Sequence, residues 1–359
     1  MDNTKTRSIA PILTRHSYCL LVLLPLLMPA SLALRDWSGM SNLFAWLPLM
    51  VLYGALPLLD LIIGRDRLNL DPGESATFPD VFIPVSTALV YFPVLAWSIW
   101  VVGEFASEWS FLSLLGWTLS LGEIGGIAGI NVAHELIHRR TRSLRVLGGL
   151  LLSSVLYPGF KIEHPRWHHV KVATPDDPSS AAKGTTVYGQ VPRAMLLNTI
   201  RAWLLAVDNA REKGRAWPWV WHELTVWWLL SSCLILLAAY IAGITGVIVF
   251  VCQGLIAISL LEIINYIEHY GLRRKLVAEG RYEPPAISHS WNADFWLSNI
   301  ILIQLQRHPD HHAHPGRTFS RLQSIEQAPQ LPLGYAALSL IAFIPPLWRK
   351  LIHPNMMQK

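Results

Sequence analysis

Six stretches of this chain are apolar over roughly the length a helix needs to cross a membrane, and few architectures can bury them. A helix covers the hydrocarbon core with about 20 apolar residues, and segments at about 17–34, 43–64, 81–102, 111–132, 225–246 and 247–268 qualify or nearly qualify. Only 15% of the 359 residues are charged and 52% are hydrophobic, against about 25% charged in soluble domains. Shorter apolar pieces near 146–158 and 334–347 fall below spanning length and are expected to pack on the bundle or lie in the interface. The basic N-terminus followed by an apolar stretch mimics a signal peptide, but further spans follow it, so it reads as an uncleaved first helix. The expected class is an all-α integral membrane protein, one domain over 1–359, with about six transmembrane helices and a cytoplasmic histidine-rich cap.

Orientation follows from the basic residues. Lys5, Arg7 and Arg15 precede the first span, Arg65 and Arg67 follow the second, Arg139, Arg140, Arg142 and Arg145 the fourth, and Arg273, Arg274 and Lys275 the sixth. The opposite connections are poor in lysine and arginine, which places both termini in the cytoplasm. The formal charge of +5 is thus a topology signal and gives no reason to expect nucleic acid as a partner. Cys19, Cys233 and Cys252 all lie in apolar stretches and form no CxxC pair. A cysteine zinc site, an iron–sulfur cluster and a fused rubredoxin are accordingly not expected.

Of fourteen histidines, nine fall in four tight groups at or just past the cytoplasmic ends of spans. HELIH holds His134 and His138; HPRWHH holds His164, His168 and His169; NYIEHYG holds His269; HPDHHAH holds His308, His311 and His312, with His314 just beyond. On a helix, i,i+4 pairs such as His134/His138 and His164/His168 share a face, with His169 turned about 100° away. His308, His311 and His312 likewise share one. His164 and His308 each precede a proline, which predicts an N-cap at each. Nine imidazoles packed without a metal would strand many ring nitrogens, at about 1–3 kcal/mol each, so metal coordination is expected.

HELIH alone matches the HExxH zinc-hydrolase pattern, which keeps an intramembrane zinc protease as an alternative. A catalytic zinc needs three protein ligands, however, and nine imidazoles suffice for two metals with four or five each. Imidazole suits iron, zinc, copper and nickel, and two redox-active irons are favoured. Haems ligated by histidine pairs would need only four.

The chain resembles the integral-membrane alkane hydroxylases, within the membrane desaturase and hydroxylase superfamily with histidine boxes. The resemblance is carried by HELIHRR (134–140), IEHPRWHHVKVATPDDPSS (162–180), NYIEHYGL (265–272) and LQRHPDHHAHP (305–315), with PLLDLIIGRD (57–66) and HSWN (289–292). It implies a non-haem di-iron centre held by the nine histidines in a bacterial inner membrane. It also implies insertion of one oxygen of O2 into a terminal C–H bond of an alkane, giving a primary alcohol. Electrons would come from rubredoxin and an NAD(P)H-dependent reductase. A desaturase or an aromatic-methyl hydroxylase would share the same iron boxes. The family more often has glycine where Ile137 and Trp167 stand, so a reshaped pocket taking a bulkier methyl substrate is expected.

Beside the ligands, Glu135, Glu163, Glu268 and Asp310 are candidates to orient imidazoles or carry protons. Asp60, Glu123 and Glu262 lie within spans, where charge is costly and functional by default. His289 is a weaker candidate for the layer behind the ligands; His16, His222 and His353 read as incidental. Arg139–Arg145 with Lys161 and Lys171 form a basic stretch suited to an acidic electron carrier.

Overall fold

A computed structural model describes residues 16–38, 42–70 and 77–356; Lys5, Arg7 and Arg15 lie outside the described residues. The protein is helical apart from one short antiparallel pair, Leu276–Ala278 with Arg281–Tyr282. Helix α1 is Cys19–Arg35, α2 Phe44–Ile63, α3 Phe78–Phe105 and α4 Phe111–Ile137. Then come α5 (Arg142–Ser154), α6 (Phe160–Glu163, continuing through His164–His168 to His169–Lys171) and α7 (Val187–Glu212). The long α8 is Glu223–His269, followed by α9 (Trp296–Ile301), α10 (His308–Ala313), α11 (Tyr335–Ala342) and α12 (Pro345–Met356). Four of these, α2, α3, α4 and α8, are long and apolar enough to cross a membrane, and α1 is a shorter apolar helix.

Local chemistry sets the helix ends. Thr77 and Asp80 form a reciprocal cap at the start of α3, with the Thr77 N–H 2.6 Å from Asp80 Oδ2. Ser110 Oγ accepts from the Ser113 N–H at 3.2 Å to start α4. Pro84 and Pro93 lie inside α3, as membrane helices tolerate when their neighbours satisfy the freed carbonyls.

Helix α8 is two helices folded back on each other. Ala242 and Gly243 leave helical geometry, and Gly243 has φ +58°, a left-handed conformation glycine adopts without strain. Ser231 Oγ donates to the Ser153 carbonyl at 3.1 Å, and Gln253 Nε2 donates to the Ser154 carbonyl at 2.9 Å. Residues either side of the reversal therefore meet α5 at one depth, and the two ends of α8 return to one level. Glu223 pairs with Lys161, and His269 lies beside His308. The reversal falls at 242–243, earlier than the 246/247 junction expected from hydropathy, because Gly243 supplies the backbone conformation the turn requires.

The second leg of α8 packs closely on α4 and α5. A Cβ at Gly122 would lie 2.5 Å from Ile256 Cβ, and one at Gly254 would lie 2.8 Å from the Val155 carbonyl. Such small residues let backbones approach where lipid supplies no hydrophobic driving force. The short apolar pieces behave as expected: α5, α11 and α12 pack against the bundle near the ends that carry the histidines. Tyr18, at the start of α1, reaches the same level, where its ring meets Phe319 edge-on at 4.9 Å.

Candidate metal centre

All nine histidines converge, and they sort into two groups. His134, His138, His164, His169 and His311 form one; His168, His269, His308 and His312 form the other; within each group the ligand-capable atoms lie within 4.8 Å of one another. The sorting differs from simple helical spacing because α6 opens into a π-helical turn at His164–His168. In that wider i→i+5 turn, His164 pairs with His169, their Nε2 atoms 3.0 Å apart. His168 is turned into the other group. His164 is accordingly not an N-cap: it keeps helical angles (φ −55°, ψ −54°), the widened turn making room for the Pro165 ring. In α10 the cap is Arg307 rather than His308. His308 and His312 join the four-ring group while His311 crosses to the five-ring group. Ile303 and Gln304, both at positive φ (+44° and +61°), turn the chain into this segment.

Inward-facing nitrogens crowd each group. His311 Nε2 lies 3.0 Å from His134 Nε2 and 3.1 Å from His169 Nε2. His308 Nε2 lies 3.1 Å from His269 Nε2 and 3.0 Å from His312 Nε2. A neutral imidazole carries one proton, so these contacts cannot all be hydrogen bonds. The buried Nε2 atoms of His138 and His168 have no hydrogen-bond partner at all. The donor set fits a metal in each group.

The rings are poised as neutral donors. Burial, aided by Arg139, pushes His138 down to about 3. Burial and then the neighbouring imidazoles hold His164, His169, His308, His311 and His312 well below the ordinary histidine range. Metal binding requires this deprotonated form. His269 Nδ1 donates to the His289 carbonyl at 3.2 Å, which leaves its Nε2 lone pair facing inward. The contribution of His289 is thus its backbone; its side chain turns to Glu283 at 3.2 Å.

Of the four carboxylates beside ligands in sequence, Glu268 alone reaches one of the nine clustered rings, its Oε2 3.2 Å from His308 Nε2 and its Oε1 accepting from Tyr335 Oη at 3.0 Å. Glu135 instead accepts from the Phe319 N–H at 3.2 Å and pairs with Arg139 at 3.5 Å. Asp310 is gripped by Arg317 at 2.5 Å and accepts from the Gln323 N–H at 2.9 Å. Glu163 is buried, and its Oε1 has no partner. The carboxylate that sequence adjacency missed is Asp177, whose Oδ2 is 3.1 Å from His168 Nδ1. Burial opposes its ionisation, but His168 and Ser180 outweigh burial and hold it below the usual carboxylate range. Its place in VATPDDPSS, among residues that fold back beside α6, was the available signal.

The remaining candidates have structural partners. Asp60 caps α9 through the Ser298 N–H at 3.0 Å. Glu262 is buried among Tyr157, Asn198 and Asn265. His222 caps the start of α8 through the Thr225 N–H, and His353 meets Tyr270 Oη at 3.1 Å. Arg139, Arg145, Lys161 and Lys171 are engaged by Glu135, the Arg139 carbonyl, Glu223 and Asp176 respectively. Arg140 and Arg142 of the same stretch are exposed.

An apolar cavity runs from the histidines into the bundle. His134, His164 and His308 line one end, and Leu52, Leu56, Ile127, Leu260, Ile264 and Leu302 its walls. Ile137 and Trp167 are not among its lining residues. Ile137 packs toward Gly148 on α5, and Trp167 lies under the Arg201 guanidinium, 3.7 Å from its ring centre. The expectation of a bulkier methyl substrate therefore draws no support from the wall of this cavity.

Fold and site together define a class: a helical membrane metalloprotein whose two histidine clusters face an apolar cavity. Residues 107–341 match the fatty acid desaturase family. Over 351 residues the chain is 39% identical to alkane 1-monooxygenase 2 of Pseudomonas aeruginosa, covering 96% of this chain and 92% of the relative. It is 41% identical over 348 residues to alkane 1-monooxygenase 1 of the same organism, covering 95% and 90%. It is also 31% identical over 242 residues to the xylene/toluene monooxygenase hydroxylase component XylM of Pseudomonas putida, covering 67% and 64%. The chain belongs to the alkane 1-monooxygenase family, and it is an oxidoreductase.

Proposed function

We propose that this protein is a membrane-bound non-haem di-iron monooxygenase that hydroxylates the terminal methyl of alkanes. The observation that carries the reading is the sorting of nine imidazoles into groups of five and four at the end of an apolar cavity. His134, His138, His164, His169 and His311 would hold one iron, and His168, His269, His308 and His312 the other. Bound there, redox-active iron supplies activation of O2 for attack on an unactivated C–H bond. The balance is RCH3 + O2 + 2e− + 2H+ → RCH2OH + H2O, with electrons from rubredoxin and its NAD(P)H-dependent reductase.

The rest is work for the chain's own residues. The cavity walls exclude water and lead a membrane-dissolved chain to the histidines end first, so its width favours the terminal carbon. Asp177 and the His289 carbonyl fix the orientation of His168 and His269. Glu268 lines the cavity and touches His308, where it can hold a proton beside the reacting end. The same reading has six crossings (α1 to α4 and both legs of α8) and places the histidines and both termini on the cytoplasmic face of a bacterial inner membrane, as the basic residues indicate.

Against a zinc protease stands Glu135, the base such an enzyme would need, which is paired with Arg139 and the Phe319 N–H. A second reading, hydroxylation of an aromatic methyl, draws on the likeness to XylM. Membranes supplied with rubredoxin, reductase, NADH and either dodecane or p-xylene, analysed for iron content and by gas chromatography, test the proposal. 1-Dodecanol with iron bound is the expected result. An alkene product, p-methylbenzyl alcohol as the faster product, or zinc in place of iron would overturn it.

A further inference from the structure

One polar pair in the cavity wall is left unused by that chemistry. Glu123 on α4 and Tyr53 on α2 both line the cavity, and Tyr53 Oη donates to Glu123 Oε2 at 2.7 Å. Glu123 is half-buried and has no ion-pair partner among the described residues. It stands near the middle of Phe111–Ile137, the depth at which a carboxyl is most costly in a membrane helix. Packing does not account for it: around it the walls are Leu52, Gly126, Ile127 and Leu260. Tyr53 satisfies one carboxyl oxygen, and the other is left as an acceptor.

The position along the helix is informative. His134 follows Glu123 by eleven residues on α4, a rise of about 16.5 Å at 1.5 Å per residue. An extended chain advances about 1.2 Å per bond, so this separation matches about 12–14 bonds. We propose that Glu123 and Tyr53 form a polar anchor for the far end of the substrate, selecting chains that carry a hydroxyl about a dozen bonds from the methyl presented to the histidines. A hydroxyl donates to the free Glu123 oxygen. A plain hydrocarbon leaves that oxygen unpaired, and a carboxylate would bring two carboxyl groups together away from water. Such a substrate is a long-chain primary alcohol, and the balanced reaction is HO(CH2)nCH3 + O2 + 2e− + 2H+ → HO(CH2)nCH2OH + H2O, with electrons from the same donor.

The inference rests on the proposed function for its reaction but not for its binding, and binding is what the test reads. Purified iron-loaded enzyme is equilibrated with radiolabelled dodecane, and 1-dodecanol or unlabelled dodecane is used to displace it, in wild type, E123L, E123Q and Y53F. Comparing the alcohol-to-alkane affinity ratio between variants cancels partitioning into detergent. The ratio should fall about tenfold in E123L, the worth of one hydrogen bond to such a group, and within about threefold in E123Q, which keeps an acceptor. Unchanged iron content reports that each variant is folded. If E123L leaves the ratio unchanged, the anchor is wrong even where dodecane turnover is normal. If the ratio falls but no variant or wild type oxidises dodecane, the anchor stands and the hydroxylase reading fails.

Discussion

In the four-ring group, Asp177 lies 3.1 Å from His168, Glu268 3.2 Å from His308, and the His289 carbonyl 3.2 Å from His269. In the five-ring group, among the described residues, no carboxylate reaches a ring; the rings are held by one another and by Phe160, stacked on His164 at 4.5 Å between centres. The difference concentrates carboxyl groups on one side of the centre. A cation bound by four rings is compensated by two buried carboxylates, whereas a cation bound by five has an extra neutral donor instead. The two proposed irons are therefore inequivalent in charge environment, and the four-ring one has a carboxylate that also faces the cavity.

The largest effect should come from emptying either group. His311 and His312 are neighbours in sequence but belong to different groups. His311→Ala and His312→Ala should each reduce hydroxylation to background and lower iron content by about one ion per chain. Elemental analysis checks this, and loss of both ions in either variant would show that the groups bind as a single unit. Next, Glu268→Gln should lower turnover about 10–100-fold, the usual range for a group in contact with a ligand, while much of the iron is retained. Steady-state kinetics beside metal analysis separates those effects. Asp177→Asn should weaken iron retention about tenfold in a chelator titration, because His168 loses the partner that fixes its ring. The smallest effect belongs to Glu135→Gln. Turnover should hold within about twofold while thermal unfolding reports a loss of about 1 kcal/mol, since an acceptor for the Phe319 N–H remains. A large turnover loss there would put a functional carboxylate beside the five-ring group and erase the asymmetry.

Much of this was legible in the sequence, and the gaps have physical reasons. Apolar runs marked the spans because lipid permits no polar face, and the nine histidines stood out because a metal needs them together. Two things were not legible. The π turn at His164–His168 depends on how Pro165 is accommodated, so the i,i+4 rule paired His164 with His168 where the structure pairs it with His169. Sequence adjacency also misled. A residue next to a ligand on a helix is turned about 100° from it, so Glu135 and Asp310 face Arg139 and Arg317 while Asp177, further along the chain, meets His168.

The reversal at Ala242–Gly243 bears on how the protein is made. Its apex, 240–246, carries no charged side chain, so nothing strongly hydrated must be dragged through oil when the two legs enter. In the proposed topology the pair would slide in as one wedge from the side of synthesis, with Glu223 and His269 left behind at its open end. Insertion of this wedge would by itself deliver His269 to the level of the other imidazoles.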